Sequence, residues 1–480
     1  MGKKFGVAAA CLFAGVGVGV AQAADLPTAK PAPPPPPTLA SCASVTDFFT
    51  TYCPLTYYGV TIYGTIDVGL AYQSYGTPFN RVLHTGLEYL ITKNSSRAQF
   101  SIAPNGLSQS SIGIKASEPL AYGFSFVFNW SMGFDPYTLQ IANGPRALEQ
   151  NNGLPAQLQN SNVDSSRAGQ WYNGVLYTGL SSTTFGTLTF GRQNSLTLDG
   201  VNAYDPMAGS YAFSVIGFSG TTAGVGDTED VRYSTAMKYR VDVPTSFGQL
   251  RAAALWQFGG YDFNNASSSA YEFQVGGDFL PSEYGKLSLD AIYSRVFDAV
   301  AASSLNAAQE VKFPGTLAAT ISDNTSWMFL AKYKYGPIQV FAGYENIYFA
   351  PPSNIVGSFT NISGIAIDGA NVTNTAYTAN QKVLQVFWTG AKYAITDSLD
   401  LTGAYYHYSQ SDYNPKPCSN TSSSKCSGSL DAVSAMIDWR FAPKFDTYAG
   451  LMFSEVSDGL ANGYLHHASV DPMAGLRFTF

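Results

Sequence analysis

The sequence predicts an all-β protein, a 16-stranded antiparallel transmembrane β-barrel with long extracellular loops and short periplasmic turns. Three observations predict this fold: a low charge content, strands whose two faces differ in polarity, and connections that alternate between long and short. Only 12% of the 480 residues are charged, against ~25% in soluble globular proteins, while 14% are aromatic. This composition suits strands that turn one face to lipid and place aromatic rings at the lipid boundary.

One segment shows how the two faces of a strand differ. Residues 123–134, GFSFVFNWSMGF, place large apolar side chains such as Phe124, Phe126 and Trp130 on one face and small or polar side chains on the other. A soluble β-sandwich would also satisfy this alternation, so composition and loop lengths must decide between the two. In a barrel, the apolar face of this strand could meet either lipid or a neighbouring subunit.

The N-terminal residues predict export from the cytoplasm. Lys3 and Lys4 precede an apolar run over residues 5–20, and the small-residue sequence AQAADL follows, which is the pattern of a signal peptide cleaved after Ala23. A membrane anchor is the alternative, but the run is short and rich in glycine. No later apolar run reaches the ~18 residues that a transmembrane helix needs. We predict a signal peptide over 1–23, a periplasmic extension over 24–57 and the barrel over 58–480.

The predicted extension contains a proline-rich stretch and two cysteines. Residues 27–38, PTAKPAPPPPPT, favour the polyproline II conformation and predict a stiff spacer outside the barrel. A plain linker is favoured over a segment that binds cell-wall material, because composition alone names no ligand. Cys42 and Cys53 follow this stretch, and Cys418 and Cys426 form a second local pair. In an exported chain these pairs predict two disulfide loops, with free thiols or a zinc site as alternatives.

Alternating segments after residue 57 predict the sixteen strands. The strands are predicted to begin near residues 58, 108, 121, 170, 185, 231, 247, 270, 284, 324, 336, 381, 398, 430, 444 and 468. Even-numbered strands are followed by short turns such as SEPLAYG and VPTSFG, whereas odd-numbered strands are followed by longer stretches. Long connections on one side and short ones on the other are typical of a membrane barrel, whose closure removes the strand edges that lipid does not tolerate.

Side-chain parity separates the two faces of these strands. In the first strand Val60, Ile62 and Ile66 are predicted to face lipid. In the sixth strand Tyr233 is predicted to face outward. Five charged side chains are predicted on the pore wall, although parity does not fix Arg192 because it lies near a strand end: Asp67, Lys115, Arg192, Arg232 and Lys238.

Several strands resemble those of a known family. GVTIYGTIDVGLAY, SSIGIKASE, LYTGLSSTTFGTLTFGRQ and VRYSTAMKY resemble successive strand signatures of the Gram-negative general porins, and CPLTYYGV resembles an N-terminal extension of the alpha-proteobacterial members. The C-terminal MAGLRFTF resembles the last-strand signal read by the outer-membrane assembly machinery, through Gly475, Phe478 and the terminal Phe480.

The resemblance implies a trimeric, water-filled channel in the bacterial outer membrane, whose third extracellular loop folds into the lumen. The implied partners are outer-membrane lipid and lipopolysaccharide, the assembly machinery and two further copies of the chain.

The third loop, residues 194–230 (loop 3), is acidic. It contains no Lys or Arg, and its acids are Asp199, Asp205, Asp227, Glu229 and Asp230. If the loop lines the narrowest point of the pore, these carboxylates favour cations, so we predict weak cation selectivity. The alternative is that the carboxylates are merely solvated. Ser111 and Gly174 stand where related porins often carry Arg, which thins the basic wall opposite the loop.

The sequence favours a passive channel over other function classes. It has no GxSxG, HExxH or CxxC motif, so an enzyme is not expected, and its net charge of −7 argues against nucleic acid as a partner. No cofactor or metal is expected: His466 and His467 lack nearby cysteines, and residues 227–230, DTED, could hold Ca²⁺ but lack the EF-hand spacing. A substrate-specific channel is the alternative, and an adhesin or enzyme barrel ranks below it.

Overall fold

The structure is a computed structural model. It describes residues 41–75, 98–134, 136–137, 139, 174–217, 232–258, 269–282, 285–303, 312, 317–355, 361–362, 365–420, 423–462 and 466–480. The predicted signal peptide and proline-rich stretch lie outside these residues, as do Asp227, Glu229 and Asp230 of loop 3. Among the described residues there is no helix with the length and apolarity needed to span a membrane.

Small elements precede the barrel or lie outside its wall. Helix α1 is Val45–Thr50, and strand β1 is Leu55–Tyr57. Helix α2, Leu196–Tyr204, belongs to loop 3, and a 3-10 turn covers Ala121–Gly123. Strands β14, Asn361–Ile362, and β15, Ile365–Thr373, pair in the loop after the eleventh wall strand.

Sixteen antiparallel strands form the closed wall, as the sequence predicts. In order around the wall they are β2 Val60–Gln73, the broken strand β3 Gln99–Pro104 with β4 Ser111–Pro119, β5 Phe124–Gly133, β6 Leu176–Ser182, β7 Gly186–Asn194, β8 Arg232–Thr245, β9 Gly248–Gln257, β10 Ala270–Ser282, β11 Gly285–Ser303, β12 Leu317–Tyr335, β13 Ile338–Ala350, β16 Lys382–Ala394, β17 Leu399–Gln410, β18 Gly428–Ala442, β19 Phe445–Asp458 and β20 Ala468–Thr479. The first and last wall strands, β2 and β20, pair with each other and close the barrel.

The outer face of the wall is apolar, which follows from the alternation of side chains along each strand. Val60, Ile62 and Ile66 of β2 are 39%, 43% and 37% exposed, as their parity predicts. Exposed aromatic side chains occur at the periplasmic turns, among them Tyr122 and Phe185. Aromatic rings at the periplasmic end of the wall match the aromatic belt of a membrane barrel.

Two strands depart from the predicted regularity. The second strand, predicted to begin near residue 108, corresponds to β4, but the wall also includes β3, which was predicted as part of the preceding loop. At the break between β3 and β4, the carboxylate of Asp67 accepts hydrogen bonds from the backbone N–H groups of Leu107 and Ser108. In β8 a bulge shifts the register, because Gly191 pairs with Ala236 whereas Gln193 pairs with Tyr233. The extra residue turns Tyr233 inward, where it is 3% exposed, instead of outward as predicted.

Candidate functional site

Loop 3 folds into the barrel directly after β7. Helix α2 begins at the N-cap Ser195, whose Oγ accepts a hydrogen bond from the backbone N–H of Leu198. The backbone N–H of Leu196, the first residue of the helix, donates to the carboxylate of Glu272 on β10. Glu272 is fully buried and faces the barrel interior. A carboxylate from the wall therefore satisfies a free N–H group of the first helical turn.

Helix α2 packs along the wall strands β9–β13. Leu196, Val201 and Tyr204 are at most 1% exposed in this contact. Gly200 lies so close to the wall that a Cβ there would sit 2.8 Å from the Cδ1 of Leu330 and 2.9 Å from the Cδ1 of Ile292. The helix therefore lies so close to the wall that a side chain at this position would displace the ends of Leu330 and Ile292.

Wall side chains also hold the C-terminal end of α2. The Tyr204 hydroxyl donates to Asp290 on β11, and Lys332 Nζ donates to the carbonyl oxygen of Ala203 at 2.9 Å. Trp388 Nε1 on β16 donates to the carbonyl oxygen of Tyr204 at 3.1 Å. These donors satisfy carbonyl groups that a helix end leaves without intrahelical partners.

Asp205, which we expected to face the pore, is buried at the turn that follows α2. It is 2% exposed and accepts hydrogen bonds from the Tyr406 hydroxyl at 2.6 Å, from Gly209 N at 2.7 Å and from Met207 N at 3.3 Å. Burial raises the pKa of Asp205, while these hydrogen bonds act in the opposite direction. Asp205 thus fixes the loop to β17.

The loop then reaches the opposite side of the barrel. Ser210 Oγ and Ala212 N both donate to the carbonyl oxygen of Gly106, at 2.7 and 2.9 Å. Phe213 is fully buried and packs edge-on against Tyr448 of β19, with 6.2 Å between the ring centroids. Loop 3 is therefore anchored at both ends of its described part.

Asp67 faces inward as predicted by parity, but it is covered rather than open to the pore. It is 0% exposed, and its carboxylate accepts a 2.6 Å hydrogen bond from the Tyr448 hydroxyl as well as the two backbone bonds at the break in the second wall strand. Its observed contacts are those of a structural residue that fixes the β3–β4 break beside the far end of loop 3.

The remaining described acid of loop 3, Asp199, is neutralised by the wall. Its carboxylate accepts from Lys238 Nζ at 2.8 Å and from the guanidinium of Arg240, and its side chain is 25% exposed. Two cations thus surround one carboxylate. The exposed residues of this part of loop 3 are Asn202, Ala203 and Ala208, so its surface is uncharged apart from the part-exposed Asp199, which is paired.

The predicted basic wall residues differ in accessibility. Lys115 is exposed, and its Nζ lies 5.3 Å from the ring centroid of Tyr63. Arg232 is half-buried and lines a cavity of about 140 Å³ beside the exposed Asn202 of loop 3. Arg192, in contrast, is 5% exposed and donates to the carbonyl oxygens of Gly174 and Arg232, both at 3.0 Å. It joins strand ends instead of facing open space.

A second charged region lies on the inward face of β8–β11. Its residues on β9–β11 are not among the predicted pore-wall residues. Arg251 bridges Asp278 at 2.9 Å and Asp290 at 3.3 Å, and Lys286 binds Asp278 at 2.9 Å. Extending the alternation to these strands would have found these residues, since each lies on the inward parity. A polar niche of about 220 Å³ adjoins them, and its polar lining residues are Arg240, Asp242, Gln249, Arg251, Gln274 and Asp278.

A third charged region lies on β16–β20. Lys392 and Arg440 both bind the carboxylate of Asp400, at 2.6 and 2.7 Å. Arg477 binds Asp446 at 3.1 Å. The inner wall therefore carries charges of both signs in short-range pairs, which gives it no single sign of charge.

The described cysteines form disulfides, and one of the described histidines stacks on a tyrosine. Disulfides join Cys42 to Cys53 and Cys418 to Cys426. The ring of His466 stacks on Tyr75 with 3.7 Å between centroids. Within the described part of the chain, no three His, Cys, Asp or Glu side chains are grouped to hold a metal ion. The proposed Ca²⁺ segment, 227–230, lies outside it.

Comparisons with known proteins agree on one kind of protein. A family model described as Gram-negative porin matches residues 6–459. No curated protein sequence matches the chain at a significant level. An anion-selective porin from Comamonas acidovorans is a structural neighbour with a TM-score of 0.54 and 14% identity, covering 88% of this chain and 99% of that chain.

Two further neighbours are structures of OmpT from Vibrio cholerae. The outer-membrane expressed form has a TM-score of 0.53 at 14% identity and covers 89% of this chain and 100% of its own. The trimer form of the protein folded in vitro has a TM-score of 0.52 at 13% identity, with 88% and 99% covered. At such identities the likeness shows a shared barrel fold.

Proposed function

Because the chain belongs to the Gram-negative porin family and forms an outer-membrane barrel channel, we propose that it conducts small hydrophilic solutes and ions by passive diffusion. The observation that carries the proposal is the position of loop 3. Its buried side chains pack on the wall from β9 to β19, while Asn202, Ala203 and Ala208 are exposed. The proposed path runs between this surface and the opposite wall, near Lys115 and Tyr63.

The test of this function is solute flux through the reconstituted protein. We expect liposome-swelling rates that fall smoothly as the size of an uncharged sugar increases, because a water-filled pore excludes by size. A matched lipid vesicle without protein is the control. Swelling that is absent for all sugars, together with no conductance in a planar bilayer, would contradict the channel function.

The ion selectivity proposed from the sequence now depends on fewer residues. Asp199 is paired with Lys238 and Arg240, and Asp205 is buried, so these two acids do not supply free carboxylates to the pore. We therefore propose weak cation selectivity on the basis of the acids within residues 227–230. Exposed cations of the wall, such as Lys115, would act in the opposite direction. The reversal potential in a KCl gradient measures the balance directly.

A substrate-specific channel is the second candidate function, favoured by the niche on β8–β10. Gln274 is 5% exposed, and its Oε1 has no hydrogen-bond partner among the described residues. The exposed Asp242 and the part-exposed Arg240 lie beside it in the niche. Acceptors and donors in one niche suit a zwitterionic solute. Current blockade that saturates with one such solute would favour this candidate over general diffusion.

We also propose a homotrimer. One structural neighbour, OmpT of Vibrio cholerae, is described in a trimer form. On this chain, Phe126 of β5 is 38% exposed on the outer face and could be covered by a neighbouring subunit or by lipid. Cross-linking in the outer membrane should stop at the trimer, and cross-linking that stops at the monomer would remove the proposal. Contacts with outer-membrane lipid, lipopolysaccharide and the assembly machinery are likewise proposals.

A further inference from the structure

The barrel closes through one of the shorter strand pairings in its described wall. Strands β2 and β20 pair from Thr65 with Thr479 to Ala71 with Met473, seven residue pairs, whereas β17 and β18 pair over twelve. The terminal residue Phe480 adds two backbone hydrogen bonds with Gly64, at 2.9 and 3.0 Å. The first residues of β2 extend beyond this end of β20.

Strand β1 covers the part of β2 that β20 does not reach. Leu55, Thr56 and Tyr57 pair with Ile62, Thr61 and Val60, while the other edge of β2 is occupied by β4. The two-residue turn between β1 and β2 has positive φ at both positions, Tyr58 and Gly59. Such a turn matches the twist of a hairpin. Strand β1 therefore continues the seam and covers the first residues of β2.

Helix α1 covers the aromatic end of the last strand. The ring centroid of Phe48 lies 6.0 Å from that of Phe478 and 6.1 Å from that of Phe480. Phe49 stacks at 6.1 Å on Phe478 and at 6.3 Å on Phe445 of β19. Aromatic pairs at these separations attract beyond their burial. The helix thus contacts both of the last two strands.

A lysine connects the same helix to the turn between β18 and β19. Lys444 Nζ lies 3.9 Å from the ring centroid of Phe48 and donates to the carbonyl oxygen of Cys53 at 2.8 Å. The backbone carbonyl of Lys444 also accepts from Thr479 N at 2.9 Å. One residue therefore connects α1, the disulfide and the end of β20.

The disulfide is what holds this segment in one conformation. Helix α1 has six residues, which is far too short to be stable by itself in water. Cys42 and Cys53 flank it and close an eleven-residue separation, so their bond removes conformational freedom from the detached segment. Without the bond, α1 would have to be ordered by the aromatic contacts, by Lys444 and by the nearby pairing of β1 with β2.

We propose that residues 42–57 are a seam clasp, a segment that holds β20 against β2 once its disulfide has formed. This role goes beyond conduction and does not depend on what passes through the pore. It makes the stability of the closed seam depend on oxidation in the compartment where the barrel folds. The clasp slows opening at the seam, because β20 cannot leave β2 without also losing its contacts with α1.

The test is hydrogen–deuterium exchange, read by mass spectrometry, on the full-length folded protein in detergent. Two clasp variants are compared with wild type: Cys42→Ser with Cys53→Ser, and Phe48→Ala with Phe49→Ala. In both variants we expect amide exchange along the paired seam of β2 and β20 to become at least about tenfold faster, while exchange in β10 and β11 stays unchanged. Reduction of the folded wild-type protein should have the same local effect.

The matched control removes the other disulfide, through Cys418→Ser with Cys426→Ser, and should leave exchange at the seam unchanged. Wild-type exchange at the seam in the phenylalanine variant would overturn the proposal. So would faster exchange in every strand alike, since that indicates general destabilisation instead of a local clasp. If the Cys42 and Cys53 variant does not fold, the phenylalanine variant and the reduced wild-type protein decide between these outcomes.

Discussion

Tyr406 holds loop 3 to the wall through a single hydroxyl group. The hydroxyl donates to Asp205 Oδ1 at 2.6 Å, and Tyr406 and Asp205 are 0% and 2% exposed. The substitution Tyr406→Phe removes the hydroxyl and keeps the ring that fills the site. It therefore tests the hydrogen bond without leaving a large cavity.

The expected cost follows from the burial of the acceptor. Asp205 keeps its bonds from Gly209 N and Met207 N and its side-chain hydrogen bond with Ser214, but it loses the Tyr406 hydroxyl as a donor, and its carboxylate is only 2% exposed. A buried acceptor left short of one partner costs ~1–3 kcal/mol, which raises the population of detached loop ~5–150-fold. The contacts of Trp388 and Lys332 with the end of α2 are unchanged, so we expect the attached form to stay the major one.

Single-channel recording measures that population. We expect Tyr406→Phe to show brief steps to a higher conductance, because the detached loop no longer narrows the lumen. The matched control is Tyr405→Phe on the opposite face of the same strand, where the hydroxyl donates to Asp431 Oδ1, also at 2.6 Å. Traces of Tyr406→Phe that match those of Tyr405→Phe would refute the view that this bond holds the loop.

Three further predictions concern selectivity, the outer disulfide and assembly. Replacing the three acids within residues 227–230 by their amides should move the reversal potential towards anions in dilute KCl and much less in molar KCl, since salt screens charge over ~10 Å at 0.1 M; an unchanged potential would show that these residues do not line the pore. Replacing Cys418 and Cys426 by Ser should leave conductance unchanged, because this bond joins two positions within one outer loop; a changed conductance would contradict that reasoning. Deleting Phe480 removes its two backbone bonds with Gly64 and should lower the amount of heat-modifiable protein in the outer membrane; normal amounts would show that the terminal residue is dispensable.

The barrel could be predicted because its determinants are local. Strand alternation, turn composition and charge content each operate over a few residues, so the first wall strand and its lipid-facing Val60, Ile62 and Ile66 were predictable from parity. Tyr233 was not, because one bulge residue in β8 reverses parity and the sequence around it carries no clear mark of a bulge.

The surroundings of the predicted pore residues were harder to predict because they depend on distant partners. Asp205 has the sequence context of a solvated loop acid, yet Tyr406, 201 residues later in the chain, encloses it. Asp67 has the correct inward parity, but Tyr448 lies 381 residues away and covers it. Contacts of this range are set by how loop 3 crosses the barrel, which no local pattern encodes.

One sequence signal does mark where loop 3 packs. A strand of a water-filled barrel should carry its large apolar side chains on the lipid face only. Strand β16 carries them on both faces, with Leu384, Val386 and Trp388 inward and Phe387 outward. The three inward side chains are fully buried, and Trp388 lies directly against Tyr204 of loop 3. Because exposing such side chains to a wet lumen would be unfavourable, a strand with two apolar faces indicates a wall that is dry on both sides. On this reasoning the polar substitution Val386→Asn should loosen the packing of loop 3 on the inner wall, whereas the outward substitution Phe387→Leu should not. We expect the current noise of single channels to increase in the first variant and to stay at the wild-type level in the second.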